Sequence, residues 1–538
     1  MEIHDIPNPD LPKSDLIAPK LMEDKAARYF KFVQEHYYEL FRAEDHDGLN
    51  KNSETGRNNI APEKKSCILL LQYLTQCSDK EAIRRMKFDI RWKNVLGLKI
   101  DENALCDRSL IVKYRTQLIV EQKTEIIFKR AIELCLKYGM ISEVEAKKLR
   151  VDSTAIYGKG AVKDTYNLIF DGLKNVIRTY QLVNFCDEEA ARQELNIPYD
   201  FDKSIKAQLD IDWNDAQAGR EALTELVEVV LKAYETGKED TLIDDSFDFI
   251  GKILGQDVEC ADENGEFSLK DGVEPDRIIS FTDQEQRHGR KSASKRFNGY
   301  KAQVATSGDH GIVTAIDVVP GNEHDSKALL SVVEQAEDIL KSKIEEIQTD
   351  NAYPTEKNLH LLDDDPNRSV DQLISKPRKC SNQGRFTKED FNIDLENQTV
   401  TCPAGNRTMI HLPTRNQKKE LGKGRAGIAK FPGEMCQNCK LKKDCVKAGA
   451  NRGRTISINA FETYHIRQRD RIKTPEGRAK LRERVGIEHV IAHLAQNGLR
   501  KARYFGLIKM RFQAKWVGAA TNIKLMVGFL HKKNLELL

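Results

Sequence analysis

Three acidic residues, Asp152, Asp350 and Glu488, stand in settings that suit metal-ion chemistry. Asp152 lies inside LRVDSTAI and Asp350 ends IEEIQTD, and both runs have the residue pattern of short strands. Glu488 lies in a segment with helical periodicity. Carboxylates from two adjacent strands and a nearby helix can converge on two Mg²⁺ ions about 3.5–4 Å apart, an arrangement that cleaves phosphodiester bonds. Spacing alone is weak evidence, because 83 Asp and Glu residues offer many such trios.

The third acid has competitors on its own helix. A threonine cap, a proline at the first helical position and a later glycine predict one long helix from Thr474 to about Asn497. Glu476 and Glu483 share this helix with Glu488. Because Glu483 lies five residues before Glu488, about 140° around the helix, the two side chains cannot both face the metals.

The acids need a sheet to hold them, and further strand patterns supply one. RIISFTD, GYKAQVAT and GIVTAIDVV predict three strands, and VDQLISKP predicts another. SKALLSVVEQAEDILKS predicts a helix that Asp325 is expected to cap, while His324 beside it is a weaker candidate for a place near the metals. Residues 1–150 read as almost all helix, and residues 163–260 as an acidic helical insertion. This order predicts an α/β core flanked by helical pieces.

Charge is distributed unevenly along the chain. The net charge is only +3, yet residues 161–270 hold 25 Asp/Glu against 11 Lys/Arg, and residues 451–538 hold 19 Lys/Arg against 6 Asp/Glu. Such a division favours a nucleic-acid surface in the basic part, although solvated helix faces would give the same counts. The N-terminal MEIHDIPNPD is not a secretory signal, and the longest apolar runs fall short of the ~20 residues of a membrane span.

Two basic segments are candidate DNA contacts. RHGRKSASKRFNGYK, residues 287–301, has six Lys/Arg and no acid, and GLRKARYFGLIKMRFQAK follows the helix of Glu488. Cations in these segments are predicted to bind DNA phosphates, which give affinity without sequence readout; the alternative is solvated surface. The predicted contacts are Arg287, Arg290, Lys295, Arg296, Arg500, Lys501 and Arg503, with Lys509 as a further member of the second segment.

Four cysteines crowd into one short region. Cys402 lies in TCPAG, and Cys436, Cys439 and Cys445 form the C-x2-C-x5-C pattern of CQNCKLKKDC. Four thiolates can hold one tetrahedral Zn²⁺ that leaves no open coordination position, so its role would be structural. The alternatives are free thiols or an occasional disulfide.

The residues around the three acids resemble those of bacterial insertion-sequence transposases of the DDE class. The resemblance is carried by VDSTAI, the predicted strands RIISFTD and GYKAQVAT, DVVPGNEHDSKAL, IQTDNAY and IEHVIAHLAQNGLRKARYFGLIKMRFQAKWVGAATNIKLM. Upstream, SDKEAIRRMKFDIRWKNVLGL and DRSLIVKYRTQL resemble the helical N-terminal domain of this group, and the cysteine pattern resembles its insertion between the second and third acids. Four separated regions thus match in the same order.

The resemblance implies a ribonuclease H-like α/β core in which Asp152, Asp350 and Glu488 are the catalytic ligands of two Mg²⁺ or Mn²⁺ ions. It also implies that Arg484, four residues before the third acid, contacts a phosphate. Relatives often carry Tyr and Lys seven residues on either side of that acid, where this chain has Leu481 and Ala495. The missing pair puts in doubt any hairpin intermediate at the DNA strand ends.

The expected protein is therefore a cytoplasmic, nucleoid-associated DNA transposase that acts as a homodimer. It would bind the terminal inverted repeats of its element, cleave the ends and join them to target DNA. Two alternatives stay open: a related nuclease or domesticated transposase that does not integrate, and a zinc-containing DNA-binding regulator. The predicted divisions are a helical DNA-binding or dimerisation domain at 1–145, the first core strand at 146–162, the acidic helical insertion at 163–275, the core at 276–378, the cysteine-rich insertion at 379–460 and the C-terminal core helices at 461–538.

Overall fold

The computed structural model describes residues 27–49, 60–261, 265–292, 294–377, 382–411, 425–447 and 452–533. The N-terminal segment MEIHDIPNPD lies outside these ranges. Among the described helices, none combines the length and the apolar character needed to cross a bilayer.

The strands form one central sheet and two smaller ones. Their bounds are β1 Lys148–Tyr157, β2 Val258–Cys260, β3 Phe267–Leu269, β4 Arg287–Arg290, β5 Arg296–Ser307, β6 Ile312–Pro320, β7 Glu346–Thr349, β8 Leu373–Ser375, β9 Asn392–Asp394, β10 Thr399–Thr401, β11 Arg407–His411, β12 Arg425–Lys430 and β13 Thr455–Asn459.

The helices lie mostly before and after the sheet strands in sequence. Their bounds are α1 Arg28–Glu35, α2 Tyr37–Leu40, α3 Pro62–Thr75, α4 Asp79–Phe88, α5 Ile90–Leu96, α6 Arg108–Val120, α7 Ile126–Lys137, α8 Thr165–Asn184, α9 Glu188–Glu194, α10 Ile205–Leu209, α11 Ala216–Gly237, α12 Thr241–Asp257, α13 Leu329–Leu340, α14 Glu356–Asp363, α15 Gly433–Gln437, α16 Lys442–Cys445, α17 Glu462–Arg471, α18 Pro475–Glu483, α19 Gly486–Leu494 and α20 Leu507–Lys532. Short 3₁₀ turns lie at Ala43–His46, Glu145–Lys147, Asp325–Ala328, Val370–Gln372 and Lys388–Asp390, and a π-helical turn at Ala495–Leu499.

The central sheet has β1 in its middle. β5 pairs antiparallel with one edge of β1, and β6 pairs antiparallel with β5. β7 pairs parallel with the other edge of β1, and β8 pairs parallel with β7. The start of β5 also pairs with β4, which forms a hairpin beyond the body of the sheet. A mixed α/β architecture is thereby confirmed.

One predicted strand is wrong. RIISFTD, residues 277–283, is irregular, because its polar groups bond to side chains and loops and not to a neighbouring strand. Asp283 is buried and accepts hydrogen bonds from the hydroxyl of Tyr300 and the backbone N–H of Gly506. The strand that precedes β5 is instead β4, four residues further along the chain.

The main hydrophobic core joins the N-terminal helices, the sheet and α20. α20 packs on β6 and on α7, and the fully buried Trp516 of α20 lies against Phe512 and against Tyr73 of α3. The predicted boundary near 145 therefore separates secondary-structure types, while one apolar core continues across it. The ion pair of Arg115 with Asp79 is buried within the same helical region.

Two further clusters lie outside this core. Helices α8 to α12, with β2 and β3, enclose their own apolar cluster, and most of their acidic residues face outward, whereas Asp257 is buried and pairs with Arg277. Strands β9 to β13 form a separate antiparallel sheet around a small cluster that three of the four grouped cysteines help to cover: Cys402, Cys436 and Cys445.

The predicted long C-terminal helix is interrupted. Thr474 caps α18 by accepting from the N–H of Gly477, as expected. The helix then breaks at residues 484–485, where the N–H of Ile487 bonds three residues back to Arg484. A β-branched valine followed by Gly486 explains the break, since both residue types are weak helix formers. Gly498 ends the segment with a φ of 99°, as expected.

Candidate functional site

Asp152 and Asp350 lie on neighbouring parallel strands. Asp152 is in the middle of β1, and Asp350 follows the last residue of β7. Arg150 pairs with Gln348, so continuing the register by two residues sets Asp152 beside Asp350. The N–H of Ser153 donates to Asp152 Oδ1 at 2.8 Å, and the N–H of Ala352 donates to Asp350 Oδ1 at 2.8 Å. Each carboxylate is thus oriented by its own backbone and keeps a second oxygen for another partner.

The electrostatics of Asp152 reflect two acids held together. Burial raises the pKa of Asp152 above its ordinary value, and the charge of Asp350 raises it further. The N–H of Ser153 and the guanidinium of Arg484 act in the opposite direction but do not cancel the rise. A bound divalent cation would offset the repulsion between such neighbouring acids.

Glu488 reaches this pair through an arginine. It lies in the first turn of α19, the helix that packs beside β1. Arg484 donates to Asp152 Oδ2 at 3.1 Å and to Glu488 Oε1 at 3.5 Å. The side chain of Glu488 is 59% exposed, whereas those of Arg484 and Asp152 are 21% and 19% exposed. The guanidinium therefore stands between the first and third predicted ligands.

The competing acid Glu483 lies near the same sheet but has another partner. Its Oε2 accepts from Gln348 Nε2 at 3.0 Å, and the same amide also donates to the buried Glu346. Glu346 in turn pairs with Lys480. Glu483 is thus tied to the strand below Asp350 through an amide, while Glu488 is linked to Asp152 through Arg484.

Tyr353 is a site residue that the sequence pattern did not single out. It is fully buried, and its hydroxyl donates to Gln303 Oε1 at 2.7 Å. Burial raises its pKa well above the ordinary value, and the charges of Asp325, Asp152 and Asp350 raise it further. The only signal in the sequence was its place three residues after Asp350.

Asp325 does not cap the helix that follows it. His324 takes that place, accepting from the N–H of Ser326 at 3.3 Å. Asp325 instead forms an ion pair with Lys301 at 3.0 Å, and it lies close enough to Tyr353 for its charge to raise the pKa of that hydroxyl. Its side chain belongs to the floor of the site because it follows β6, which brings it beside β5.

The carboxylates supply hard oxygen ligands of the kind that Mg²⁺ and Mn²⁺ prefer, so the donor set fits these ions. In the described part of the chain, however, no three His, Cys, Asp or Glu side chains stand close enough together to hold a metal ion. The guanidinium of Arg484 lies between Asp152 and Glu488 and is hydrogen-bonded to both.

The first basic segment is a β-hairpin. β4 pairs with the start of β5 so that Arg290 lies directly opposite Arg296. Arg290, Lys295 and Arg296 are exposed, and within the described ranges none of the three forms an ion pair. Arg287 differs, since it is half-buried and donates to the backbone carbonyls of residues 284 and 286. This bonding favours a structural role for Arg287 over the predicted phosphate contact.

The second basic segment meets the hairpin at the end of β1. Tyr157 forms a parallel bridge with Lys501 and receives the guanidinium of Arg500 over its ring at 6.0 Å. On its other side the Tyr157 ring contacts Phe297 of the hairpin. Arg500 and Lys501 are exposed. The two segments therefore form one surface, which we call the basic edge: Arg290, Lys295, Arg296, Arg500 and Lys501.

Arg503 does not belong to this surface. Its guanidinium donates to the carbonyl of Cys77 at 2.8 Å and lies over the ring of Tyr73 at 5.2 Å. It thereby holds the C-terminal segment against α3. These contacts favour a packing role for Arg503 over the predicted phosphate contact.

The four grouped cysteines line one small cavity of about 20 Å³. Burial raises the pKa of Cys445, and the neighbouring thiols Cys436, Cys402 and Cys439 raise it further, against Arg454. Backbone N–H groups lie 3.4 Å from the sulfurs of Cys439 and Cys436. The donor chemistry fits Zn²⁺, but the thiols as they stand do not converge to ligand distance.

Three family models match the chain. Residues 23–117 match a model described as a transposase domain (DUF772), and residues 256–428 and 401–527 match two models that are each described as a transposase DDE domain. The chain belongs to the DDE-class insertion-sequence transposases. Searches among curated proteins and among solved structures returned no match.

The transposase is accordingly an enzyme of metal-dependent phosphoryl transfer on DNA. Asp350 and Glu488 lie inside the two spans matched by transposase DDE domains, whereas Asp152 lies between the span at 23–117 and these two. The helices of the acidic insertion lie between Asp152 and the remaining core strands, so the first acid is separated in sequence from the rest of the site.

Proposed function

We propose that Asp152, Asp350 and Glu488 hold two Mg²⁺ or Mn²⁺ ions with which the transposase cleaves its element ends and joins them to target DNA. The observation that carries this proposal is the placement of the acids. Asp152 and Asp350 are neighbours on parallel strands, and Glu488 shares a single arginine with Asp152. Two ions bound there would stabilise both the attacking and the leaving oxygen of an in-line displacement.

A ribonuclease H-like core is part of the same proposal. Counted along the chain without β4, the five core strands lie in the order 3-2-1-4-5 across the sheet. The second strand runs antiparallel to the first, and the last two run parallel to it. This is the arrangement expected of such a core, and it sets two acids side by side at its centre.

The protein residues around the acids have separate roles in this proposal. The N–H groups of Ser153 and Ala352 orient one oxygen of each strand acid and leave the other oxygen to face the site, where that of Asp152 accepts from Arg484. Tyr353 and Gln303 close the floor of the site and exclude water from below. Arg484 is proposed to contact a DNA phosphate, because its side chain lies at the rim and is 21% exposed.

The basic edge is proposed to carry the DNA away from the catalytic centre. Tyr157 lies five residues beyond Asp152 on β1, which at about 3.3 Å per residue is about 16 Å. Its neighbouring cations would therefore bind phosphates several nucleotides from the one that reacts. Such contacts give affinity and register without reading bases.

The cysteine cluster is proposed to bind one structural Zn²⁺. Cys402, Cys436, Cys439 and Cys445 surround one cavity, and N–H groups near two of the sulfurs would stabilise thiolates. Zinc binding would draw the thiols together and stabilise the small sheet of β9 to β13.

The remaining expectations also stand as proposals. The enzyme is proposed to act as a homodimer on double-stranded DNA in the bacterial cytoplasm, because two element ends must be handled together. The predicted domain divisions are supported by the separate apolar clusters of the two insertions.

A strand-joining assay with labelled element-end DNA and target DNA tests the function. Wild-type protein with Mg²⁺ or Mn²⁺ is expected to cleave the ends and to join them. Asp152→Asn, Asp350→Asn and Glu488→Gln are each expected to reduce both products to background while DNA binding persists, because the carboxylate charge holds the metals. Glu483→Gln is the matched control and is expected to stay active.

The outcomes separate the alternatives. Cleavage without joining would favour the nuclease, and binding without either product would favour the regulator. Activity in Glu488→Gln together with its loss in Glu483→Gln would overturn the assignment of the third ligand.

A further inference from the structure

Arg484 is hydrogen-bonded to carboxylate oxygens that a metal ion would need as ligands. Asp152 Oδ1 already accepts the N–H of Ser153 at 2.8 Å, and Arg484 donates to the other oxygen, Oδ2, at 3.1 Å. The same guanidinium reaches Glu488 Oε1 at 3.5 Å. A cation between these acids must bind oxygens that the arginine now neutralises.

The backbone holds Arg484 at this point. It is the first residue of the turn between α18 and α19, where the N–H groups of Ile487 and Glu488 bond three residues back, to Arg484 and Val485. The side chain is 21% exposed, so it lies at the rim and has solvent on one side. A rotation about its side-chain bonds can therefore move the guanidinium outward without unfolding either helix.

We propose that Arg484 is an exchangeable counter-ion: it pairs with Asp152 and Glu488 in the metal-free enzyme and leaves Asp152 when a divalent ion binds. The inference rests on the proposed function of these acids as metal ligands. The released guanidinium is then available to a DNA phosphate at the rim. Metal and DNA consequently assist each other, because a phosphate that binds Arg484 removes the competitor of the metal.

The proposed exchange predicts a coupling between metal binding and DNA binding that can be measured without catalysis. If DNA tightens metal binding by some factor, then metal must tighten DNA binding by the same factor. The part of this coupling that passes through Arg484 is lost when its charge is removed. An arginine that only packed against the acids would produce no such coupling.

The test is a calorimetric titration of Mn²⁺ into the full-length protein, first without DNA. Arg484→Gln is expected to bind Mn²⁺ more tightly than wild type by a factor on the order of ten, the effect of one partly buried ion pair. Arg484→Lys keeps the charge without the forked contact and is expected to fall between the two. Arg482→Gln removes the same charge two residues away on an exposed side chain and is the matched control.

The titration is then repeated with a saturating, uncleavable duplex. The duplex is expected to tighten Mn²⁺ binding to wild type and to Arg482→Gln, and to do so much less for Arg484→Gln. Equal Mn²⁺ affinities for wild type and Arg484→Gln would refute the exchange. So would a rise in the DNA-free Mn²⁺ affinity of Arg482→Gln as large as that of Arg484→Gln. If Arg484→Gln does not fold, an Arg484→Lys affinity equal to that of wild type refutes it.

The variant Asp152→Asn distinguishes a failure of the proposed Arg484 exchange from a failure of the proposed metal site. If Asp152→Asn removes Mn²⁺ binding but Arg484→Gln changes nothing, the metal site stands and the exchange fails. If Asp152→Asn binds Mn²⁺ as wild type does, the proposed metal site itself fails.

Discussion

Neutralising the tip of the basic hairpin should weaken DNA binding without weakening the fold. Arg290 and Arg296 lie directly opposite each other on β4 and β5, both exposed. Like charges in directly opposed positions repel, at a cost of about 0.2–1 kcal/mol. The double variant Arg290→Gln, Arg296→Gln removes this repulsion, so its melting temperature is expected to equal or exceed that of wild type.

The loss in DNA affinity can be estimated from counterion release. Each phosphate contact makes the slope of log affinity against log salt more negative by about 0.9. The double variant lacks two such contacts, so its slope should be less steep than that of wild type by about 1.8. Between about 50 and 200 mM salt, the advantage of wild type over the variant should therefore shrink about twelvefold. The change should be the same for element-end DNA and for random DNA, because phosphates carry no sequence information.

Fluorescence anisotropy with a labelled duplex over this salt range measures the slope. The control is Lys203→Gln, Lys232→Gln, which removes two exposed cations from the acidic insertion. Its slope is expected to match that of wild type. An unchanged slope in the hairpin variant would refute the proposed contact of Arg290 and Arg296 and leave Lys295, Arg500 and Lys501 as the remaining cations of the basic edge.

Three further predictions concern stability and metal content. The raised pKa of Asp152 means that the folded protein binds this proton more tightly than the unfolded chain does, so ionisation of Asp152 lowers the free energy of unfolding. The loss of stability is absent at pH values below the ordinary pKa of 3.8 and complete at pH values above the raised pKa. Metal-free Asp152→Asn is therefore expected to melt higher than wild type at neutral pH, with the difference vanishing in acid, and a lower melting temperature at pH 7 would contradict this. Asp79→Ala leaves the buried Arg115 unpaired and is expected to lose about 3–5 kcal/mol in urea unfolding, whereas a loss below about 1 kcal/mol would show that the pair is dispensable. Elemental analysis is expected to find about one zinc per chain, lost in Cys439→Ser; metal-free wild type of equal stability would exclude the zinc site.

Local chemistry made much of this structure predictable from the sequence. The strand around Asp152, the strand ending at Asp350, the cap at Thr474 and the glycine stop at Gly498 depend on residues within a few positions of each other. The spacing of the four grouped cysteines likewise predicted that they would share one place in the fold.

The remainder depends on partners far apart in sequence. Arg484 and Asp152 are separated by 332 residues, so no local sequence pattern predicts their ion pair. RIISFTD has the composition of a strand, yet Asp283 within it binds side chains and loops from other parts of the fold. Asp325 has the position of a helix cap but pairs with Lys301, because β5 and β6 bring them together. Tertiary contacts overrode the local preference in each case.

Anomalous diffraction from crystals of the full-length protein soaked in Mn²⁺ shows directly whether Asp152, Asp350 and Glu488 hold the metal. Manganese is expected between Asp152 and Asp350, with Glu488 as a ligand and the guanidinium of Arg484 moved away from Asp152. Manganese elsewhere in the molecule, or bound by Glu483 while Glu488 faces solvent, would contradict this expectation.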